Sequence, residues 1–175
     1  MRENRRVANS DRLTGLDASF LALEDGGPHM HVGSVLLFDG EAPAYEDFVA
    51  QIERRLALVP RYRQKLAFPP LVQSWPVWVD DPHFNAGYHV RHTALPEPAG
   101  EPELRRLAGR IFAQRLDRAK PLWELWLVDR VGDDRFALIS KTHHALVDGI
   151  SGVDLATVLF DANPVPVGLT PPVRP

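Results

Sequence analysis

The sequence predicts an α/β domain, and three observations support that prediction. The chain has 175 residues, of which 45% are apolar, enough for one domain with a sizeable core. Short strand-like apolar segments alternate with segments whose apolar residues recur at helical spacing. Late in the chain, two strand-like segments flank a short turn, which predicts an antiparallel hairpin. Together these patterns permit a mixed sheet flanked by helices but do not demand it.

The first third of the chain contains two helix patterns and one strand pattern. Asp17 is predicted to cap a short helix that stops at the Gly-Gly-Pro of residues 26–28. Residues 30–38 are rich in Val and Leu, which predicts a largely buried strand. Pro43 suits the start of an amphipathic helix, because its missing N–H would have no partner there. We expect that helix to end before Pro60.

The rest of the chain continues the alternation. The predicted elements are extended chain with turns over residues 61–82, a strand over 88–94, a helix over 103–116, and a hairpin of strands over 121–128 and 136–142. Apolar residues after Gly149 recur at helical spacing and predict a further helix, entered near Asp148. Two adjacent histidines, His143 and His144, therefore fall between the end of the hairpin and a helix.

The ends of the chain differ in composition from its middle. Residues 1–12 carry four arginines and no following apolar run, which predicts a flexible basic arm and not a secretory signal. Residues 13–160 are expected to form the folded domain. Residues 161–175 are rich in proline, which predicts a semi-rigid interdomain linker. A linker in this place indicates a truncated or cleaved protein.

Composition excludes several classes of function. The net charge of −3, from 20 Lys and Arg against 23 Asp and Glu, gives no field that would gather nucleic acid. The chain has no cysteine, so disulfides, thiolate metal sites and a Cys nucleophile are excluded. No apolar run approaches the ~18 residues of a membrane span. We therefore expect a cytoplasmic protein whose contact with membranes is peripheral.

The two adjacent histidines favour some chemistries over others. Neighbouring side chains of a strand point to opposite faces, so only one of His143 and His144 can face a given cavity. This geometry argues against a shared metal ion. Residues 149–153 read Gly-Ile-Ser-Gly-Val and lack the second glycine of a G-x-S-x-G nucleophile elbow. Transfer without a covalent enzyme intermediate fits these observations better.

A neutral imidazole can act as a general base in such a transfer. It takes a proton from an acceptor hydroxyl as the oxygen attacks an activated carbonyl, and it returns the proton to a leaving thiolate. Asp148 can hold the loop by pairing with an Arg or by capping N–H groups, and Gly149 permits a conformation closed to other residues. The alternative is two packed histidines before a helix cap, and spacing alone leaves both interpretations open.

The motif at residues 143–149, His-His-Ala-Leu-Val-Asp-Gly, carries a resemblance to a known superfamily. It resembles the H-H-x-x-x-D-G motif of His-dependent, mostly coenzyme A-linked acyltransferases, which include chloramphenicol acetyltransferase and the condensation domains of peptide synthetases. Further matches in family order lie at residues 16–21 with Glu24, 30–33, 83–84, 89–91, 95–96 and 121–124. With these, nearly the whole chain resembles the bacterial wax ester synthase/diacylglycerol acyltransferase family.

The resemblance implies a fold and a set of site residues. The fold is an α/β sandwich of the chloramphenicol acetyltransferase kind, a mixed sheet flanked by helices. His144 is the implied general base, with His143 in support and with Asp148 and Gly149 shaping the loop. The family positions Pro121, Leu122 and Trp123 are candidate substrate-binding residues, either structural or lining a tunnel.

The resemblance also implies substrates and partners. The reaction would be O-acyl transfer from acyl-coenzyme A, as co-substrate, to the hydroxyl of diacylglycerol or a long-chain alcohol, with no bound cofactor and no metal. Family members continue into a second domain, so this resemblance implies a C-terminal half, in the same or a second chain. The protein would be cytoplasmic or peripheral at the inner membrane or lipid inclusions. Two alternatives are a non-catalytic lipid- or partner-binding half-domain and acyl transfer to an amine.

Overall fold

A computed structural model describes residues 12–69 and 75–147 of the chain. The elements in chain order are α1 (Gly15–Glu24), β1 (His31–Asp39), α2 (Tyr45–Leu56), a 3-10 turn (Pro60–Arg63), β2 (Gln64–Ala67), β3 (Val77–Asp80), α3 (Ala86–His89), β4 (Val90–Thr93), α4 (Glu101–Phe112), β5 (Trp123–Val128), β6 (Arg135–His143) and α5 (His144–Val147). Most of the predicted basic arm, the linker, Asp148 and Gly149 lie outside the described residues.

The main sheet is mixed, as expected for the fold class. Its four strands lie in the order β1-β6-β5-β4, and β2 pairs with β3 in a separate two-stranded sheet. β6 is antiparallel to both of its neighbours, whereas β4 and β5 are parallel. The predicted hairpin is therefore confirmed as β5–β6, in a register that pairs Trp123 with Thr142.

Apolar side chains cover both faces of the main sheet. Leu125 and Leu127 of β5 belong to the larger core cluster, which includes residues of α1 and α2. Val128 belongs to the second cluster, together with Ile139 of β6 and the inner side of α4. This alternation follows from the two-residue repeat of a strand, and it gives a sheet between two layers of helix.

The start of α1 differs from the prediction. Thr14, and not Asp17, is the N-cap residue, and its side-chain oxygen accepts the N–H of Asp17 at 3.1 Å. Asp17 sits at the third helical position, where its carboxylate accepts the N–H of Thr14 at 3.3 Å. The pair forms a capping box, so a favourable acidic residue in the first turn was mistaken for the cap.

β1 is less buried than predicted. It is an edge strand of the main sheet, and Val32 and Leu37 are each 43% exposed. An apolar run of this length is typical of a central strand, but the sequence does not show how many neighbours a strand has.

The boundaries of several other helices and strands differ from the predicted ones. α2 begins at Tyr45 instead of Pro43, α4 spans Glu101–Phe112, and the strand predicted over 88–94 begins only at Val90, after the short helix α3. A short helix, α5, covers His144–Val147, and the helix predicted after Gly149 lies outside the described residues. Among the described residues, no helix is long and apolar enough to cross a membrane.

Candidate active site

The two histidines lie at the junction between a strand and a helix. β6 ends at His143, and α5 begins at His144. The backbone N–H of His143 donates to the carbonyl of Leu122 at 3.0 Å, and that of His144 donates to the carbonyl of Met30 at 2.9 Å. The junction is therefore held between the segment before β5 and the segment before β1.

The two side chains have different environments. His143 is 1% exposed, whereas His144 is half-buried. The ring of His144 stacks on Phe20 of α1, with centroids 5.0 Å apart. Strand alternation predicted that the two rings would have different environments. In the structure they do, but the cause is that the strand ends at His143 and a helix begins at His144.

The His143 ring has a defined protonation state. Its Nδ1 accepts the N–H of Ala145 at 3.1 Å, so the proton of the neutral ring is on Nε2. That Nε2 lies 3.7 Å from Oε2 of Glu24 and has no hydrogen-bond partner among the described residues. Burial lowers the pKa of His143 to about 4, so the ring is neutral at pH 7.

Glu24 is a buried carboxylate at the end of α1, 2% exposed. Its Oε1 accepts the N–H of Met30 at 3.2 Å, and its Oε2 accepts from Arg118 at 3.0 Å. Burial alone would raise the pKa of Glu24, but the bonds from Arg118 and Met30 outweigh it and the pKa is lowered. Glu24 is therefore an ionised group beside a neutral histidine.

Arg118 also contacts the last turn of α1 and the residue that follows the helix. The same nitrogen that bonds Glu24 also donates to the carbonyl of Leu21 at 2.8 Å. The other terminal nitrogen pairs with Asp25 at 3.0 Å. Arg118 is thus shared between two carboxylates, of which only that of Glu24 is also paired with His143.

A buried lysine supports the strand that leads to the histidines. Nζ of Lys141 donates at 3.0 Å to the carbonyls of Ile111 and Gln114, at the end of α4. It also lies 3.6 Å from Glu124. Burial lowers the pKa of Lys141, although Glu124 opposes the shift. The lysine ties the end of α4 to β6 two residues before the end of the strand.

The candidates from the Pro-Leu-Trp segment lie in the core. Pro121, Leu122 and Trp123 are all buried. Nε1 of Trp123 donates to the carbonyl of Tyr62 at 2.8 Å. His89 donates from Nδ1 to the Trp123 carbonyl at 2.8 Å and stacks on the indole with centroids 4.7 Å apart. These contacts join Trp123 to Tyr62 and His89 within the core.

The structure brings together some of the predicted site residues and adds others. His143, His144 and Leu122 meet at the junction, while Asp148 and Gly149 lie outside the described residues. Sequence reasoning did not give Glu24 a role. Its presence in the N-terminal motif was the only signal. Within residues 12–69 and 75–147, no three His, Asp or Glu side chains are grouped as metal ligands.

Comparison with known proteins gives a consistent result. Residues 13–174 match the family model described as the wax ester synthase/diacylglycerol acyltransferase catalytic domain. Two probable diacylglycerol O-acyltransferases of Mycobacterium tuberculosis are similar: one is 39% identical over 87% of this chain and 34% of its own length, the other 40% identical over 86% and 56%. This chain therefore spans between a third and just over half of those relatives.

Solved structures show the same similarity. The wax ester synthase/diacylglycerol acyltransferase of Marinobacter aquaeolei VT8 aligns with a TM-score of 0.64 at 36% identity, over 80% of this chain and 36% of that one. The first condensation domain of the CDA synthetase aligns with a TM-score of 0.62 at 19% identity, over 77% of this chain and 35% of that one. The second similarity shows a shared fold.

Proposed function

Because the chain belongs to the wax ester synthase/diacylglycerol acyltransferase family, we propose that the protein in its full natural length is an acyl-coenzyme A-dependent O-acyltransferase. It moves a fatty acyl group to the hydroxyl of diacylglycerol or of a long-chain alcohol and releases coenzyme A. The observation that carries this proposal is the family match, which spans residues 13–174 and so includes the histidine pair.

His144 is the proposed general base. Its imidazole takes the hydroxyl proton as the acceptor oxygen attacks the thioester carbonyl, and the resulting imidazolium gives that proton to the thiolate as the carbon–sulfur bond breaks. General-base catalysis contributes roughly 10²–10⁴-fold, with the remainder from positioning of the substrates and stabilisation of the oxyanion. No covalent bond to the enzyme forms in this scheme.

The environments of the two rings support this choice. A base must reach its substrate, and His144 is half-buried, whereas His143 is enclosed and bonded to Ala145. We assign His143 a supporting role, and we assign Asp148 and Gly149 the roles of holding and shaping the loop. Leu122 and Trp123 are fully buried and serve the packing of the site.

The proposal includes partners beyond this chain. The relatives are longer than this chain, and we propose that a C-terminal half completes the acyl-donor site. Acyl-coenzyme A is the co-substrate and a lipid hydroxyl is the acceptor. The alternative of a non-catalytic half-domain is not favoured, because the relatives are named as acyltransferases. The similarity to condensation domains shows the fold and does not favour an amine acceptor.

The lipid acceptor also bears on localisation. We propose a cytoplasmic protein that contacts membranes or lipid inclusions peripherally. Phe68 and Trp75 are 56% and 59% exposed, so they could contact a lipid surface. Co-sedimentation with vesicles, compared between the wild type and Trp75→Ser, would test the contact. Equal sedimentation of both proteins would remove this residue from the proposal.

An assay with two acceptors tests the proposed function. The protein in its full natural length is incubated with palmitoyl-coenzyme A and either diacylglycerol or hexadecanol, and the products are separated by thin-layer chromatography. We expect triacylglycerol, wax ester or both, with free coenzyme A in equal amount. Release of coenzyme A without an ester product would indicate hydrolysis and contradict the proposal.

A further inference from the structure

We propose that Glu24 is a positioning residue for the histidine pair. Its carboxylate keeps the proton of His143 on Nε2, and His143 in turn holds the turn from which His144 projects. The proposal rests on the proposed function of His144, which it deepens by naming how that ring is held. Glu24 itself does not touch the reacting atoms in this scheme.

The tautomer of His143 decides which group its ring offers to Ala145. A neutral imidazole carries its proton on either Nδ1 or Nε2, and the two forms offer opposite hydrogen-bonding groups at each position. The N–H of Ala145 donates to Nδ1 at 3.1 Å, which only the Nε2–H form allows. A switch to the Nδ1–H form would place two donors against each other at this contact.

The carboxylate of Glu24 faces the Nε2–H group of His143. Nε2 is buried without a hydrogen-bond partner among the described residues, and Oε2 of Glu24 lies 3.7 Å away. This distance is longer than a hydrogen bond, so the interaction is electrostatic. In a buried site, where screening is weak, a negative carboxylate at this distance favours the proton on the nitrogen that faces it.

The Glu24 carboxylate is held in place by hydrogen bonds to both of its oxygens. Its two oxygens are fixed by the Met30 N–H at 3.2 Å and by Arg118 at 3.0 Å. Met30 also supplies the carbonyl that accepts the N–H of His144 at 2.9 Å. Glu24 therefore contacts the histidine pair by two routes, through the His143 ring and through the Met30 backbone.

The His143 ring also holds the backbone next to His144. Ala145 follows His144 in the first turn of α5, where backbone N–H groups have no partner within the helix. The His143 ring supplies that partner and so fixes the backbone on the C-terminal side of His144. Loss of the bond would free the turn and let the His144 ring leave its position against Phe20.

The ion pair with Arg118 provides a matched control. Arg118 pairs with Asp25 as well as with Glu24, each at 3.0 Å. The Asp25 side chain is 66% exposed and pairs with Arg118 and not with His143, so Asp25→Asn removes one carboxylate from Arg118 without changing a contact of the histidine. Asp25→Asn therefore measures what the loss of a carboxylate from Arg118 costs by itself, and a change in the His143 tautomer is expected only in Glu24→Gln.

Glu24→Gln changes the group that faces His143 while keeping its shape. The amide oxygen can still accept the Met30 N–H, which leaves the NH₂ group facing Nε2 and Arg118; the bond from Arg118 is lost, because both groups donate. An NH₂ group donates, so it favours Nε2 as an acceptor and moves the His143 proton to Nδ1. The bond to Ala145 is then lost.

The experiment combines NMR with kinetics on the protein in its full natural length. Ring ¹⁵N resonances of His143, assigned with a His143→Asn sample, report which nitrogen carries the proton. We expect the Nε2–H form in the wild type and in Asp25→Asn, and loss of that form in Glu24→Gln. Turnover of palmitoyl-coenzyme A with diacylglycerol should fall by roughly 10–100-fold in Glu24→Gln, in kcat more than in KM, a loss of the size seen when a carboxylate that orients a metal-bound histidine is removed.

Several results would overturn the proposal. These are an unchanged tautomer in Glu24→Gln, a changed tautomer with wild-type turnover, or an equal loss of turnover in Asp25→Asn. If Glu24→Gln does not fold, the wild-type spectrum still decides, because an Nδ1–H form of His143 contradicts the geometry. If the wild type itself has no acyltransferase activity, the proposed function fails, while the tautomer measurement still tests the contact with Glu24.

Discussion

His143 and His144 are neighbours in sequence, yet their side chains meet different physical demands. The His143 ring is buried, accepts the N–H of Ala145 and faces the carboxylate of Glu24. Its low pKa is the consequence of burial. His144 keeps part of its surface accessible beside Phe20. Within this motif, the ring of His143 therefore supports the backbone, and the ring of His144 is accessible to a substrate.

The buried histidine predicts how stability depends on pH. His143 has a pKa of about 4 in the folded protein against 6.5 when unperturbed, so unfolding takes up a proton between these values. The free energy of unfolding should then fall as pH drops from 6.5 towards 4, by at most about 3 kcal/mol from this residue. Its contribution is fully present above pH 6.5. Urea denaturation at pH 7.0, 6.0 and 5.0 measures the change.

His143→Asn isolates that contribution. The Asn side-chain oxygen can accept the Ala145 N–H in place of Nδ1, but it does not titrate. Burial also lowers the pKa of His89, so the wild type and the variant share that part of the pH dependence. We expect a smaller loss of stability on acidification in His143→Asn. An identical pH dependence in both proteins would refute the assignment to His143.

Among the elements, β1 and α4 approach closely at a glycine. An added Cβ at Gly33 would meet the ring of Phe112, with 2.7 Å to Cζ. Gly33→Ala must therefore displace this ring, and we expect the free energy of unfolding to fall by about 1–3 kcal/mol. The control is Gly109→Ala on α4, where a Cβ would meet nothing within 4 Å. That change should raise stability by about 0.5–1 kcal/mol. Equal effects of the two changes in denaturation would contradict the packing.

The end of α4 depends on a strand residue. Lys141→Met keeps the apolar stem but removes the donor from the carbonyls of Ile111 and Gln114 and the cation near Glu124. We expect thermal and urea denaturation to show a loss of about 2–4 kcal/mol. Arg105→Met, at a 79% exposed side chain on the same helix, should cost less than about 0.5 kcal/mol. A loss of that small size for Lys141→Met would mean that the bonds to α4 contribute little.

Local patterns predicted some elements well and others poorly. Two apolar runs around a turn sufficed for the β5–β6 hairpin, because both strands lie next to each other in the chain. The predicted burial of β1 was wrong, because its place at the edge of the sheet depends on pairing with β6, about a hundred residues later in the chain. The predicted cap of α1 was wrong because Thr14 and Asp17 are both favourable near the start of a helix. Only the backbone conformation shows which of the two is the N-cap residue.

At the scale of the molecule, the candidate site joins distant parts of the chain. The motif gave His143 and His144 directly, because they are adjacent in sequence. Glu24 and Arg118 are 94 residues apart, and Glu24 meets Arg118 and His143 through the packing of segments that are distant in the chain. Side chains that meet through such long-range packing have no fixed spacing in the sequence, so no sequence pattern predicts their contact.

The central proposal is that His144 is the general base of an acyl transfer. The most direct test measures coenzyme A release from palmitoyl-coenzyme A and diacylglycerol by the wild type and His144→Ala, both in full natural length. We expect the rate to fall by at least roughly 10²-fold, with a melting temperature that barely moves because the ring is only half-buried. Near-normal turnover in His144→Ala would contradict the general-base role.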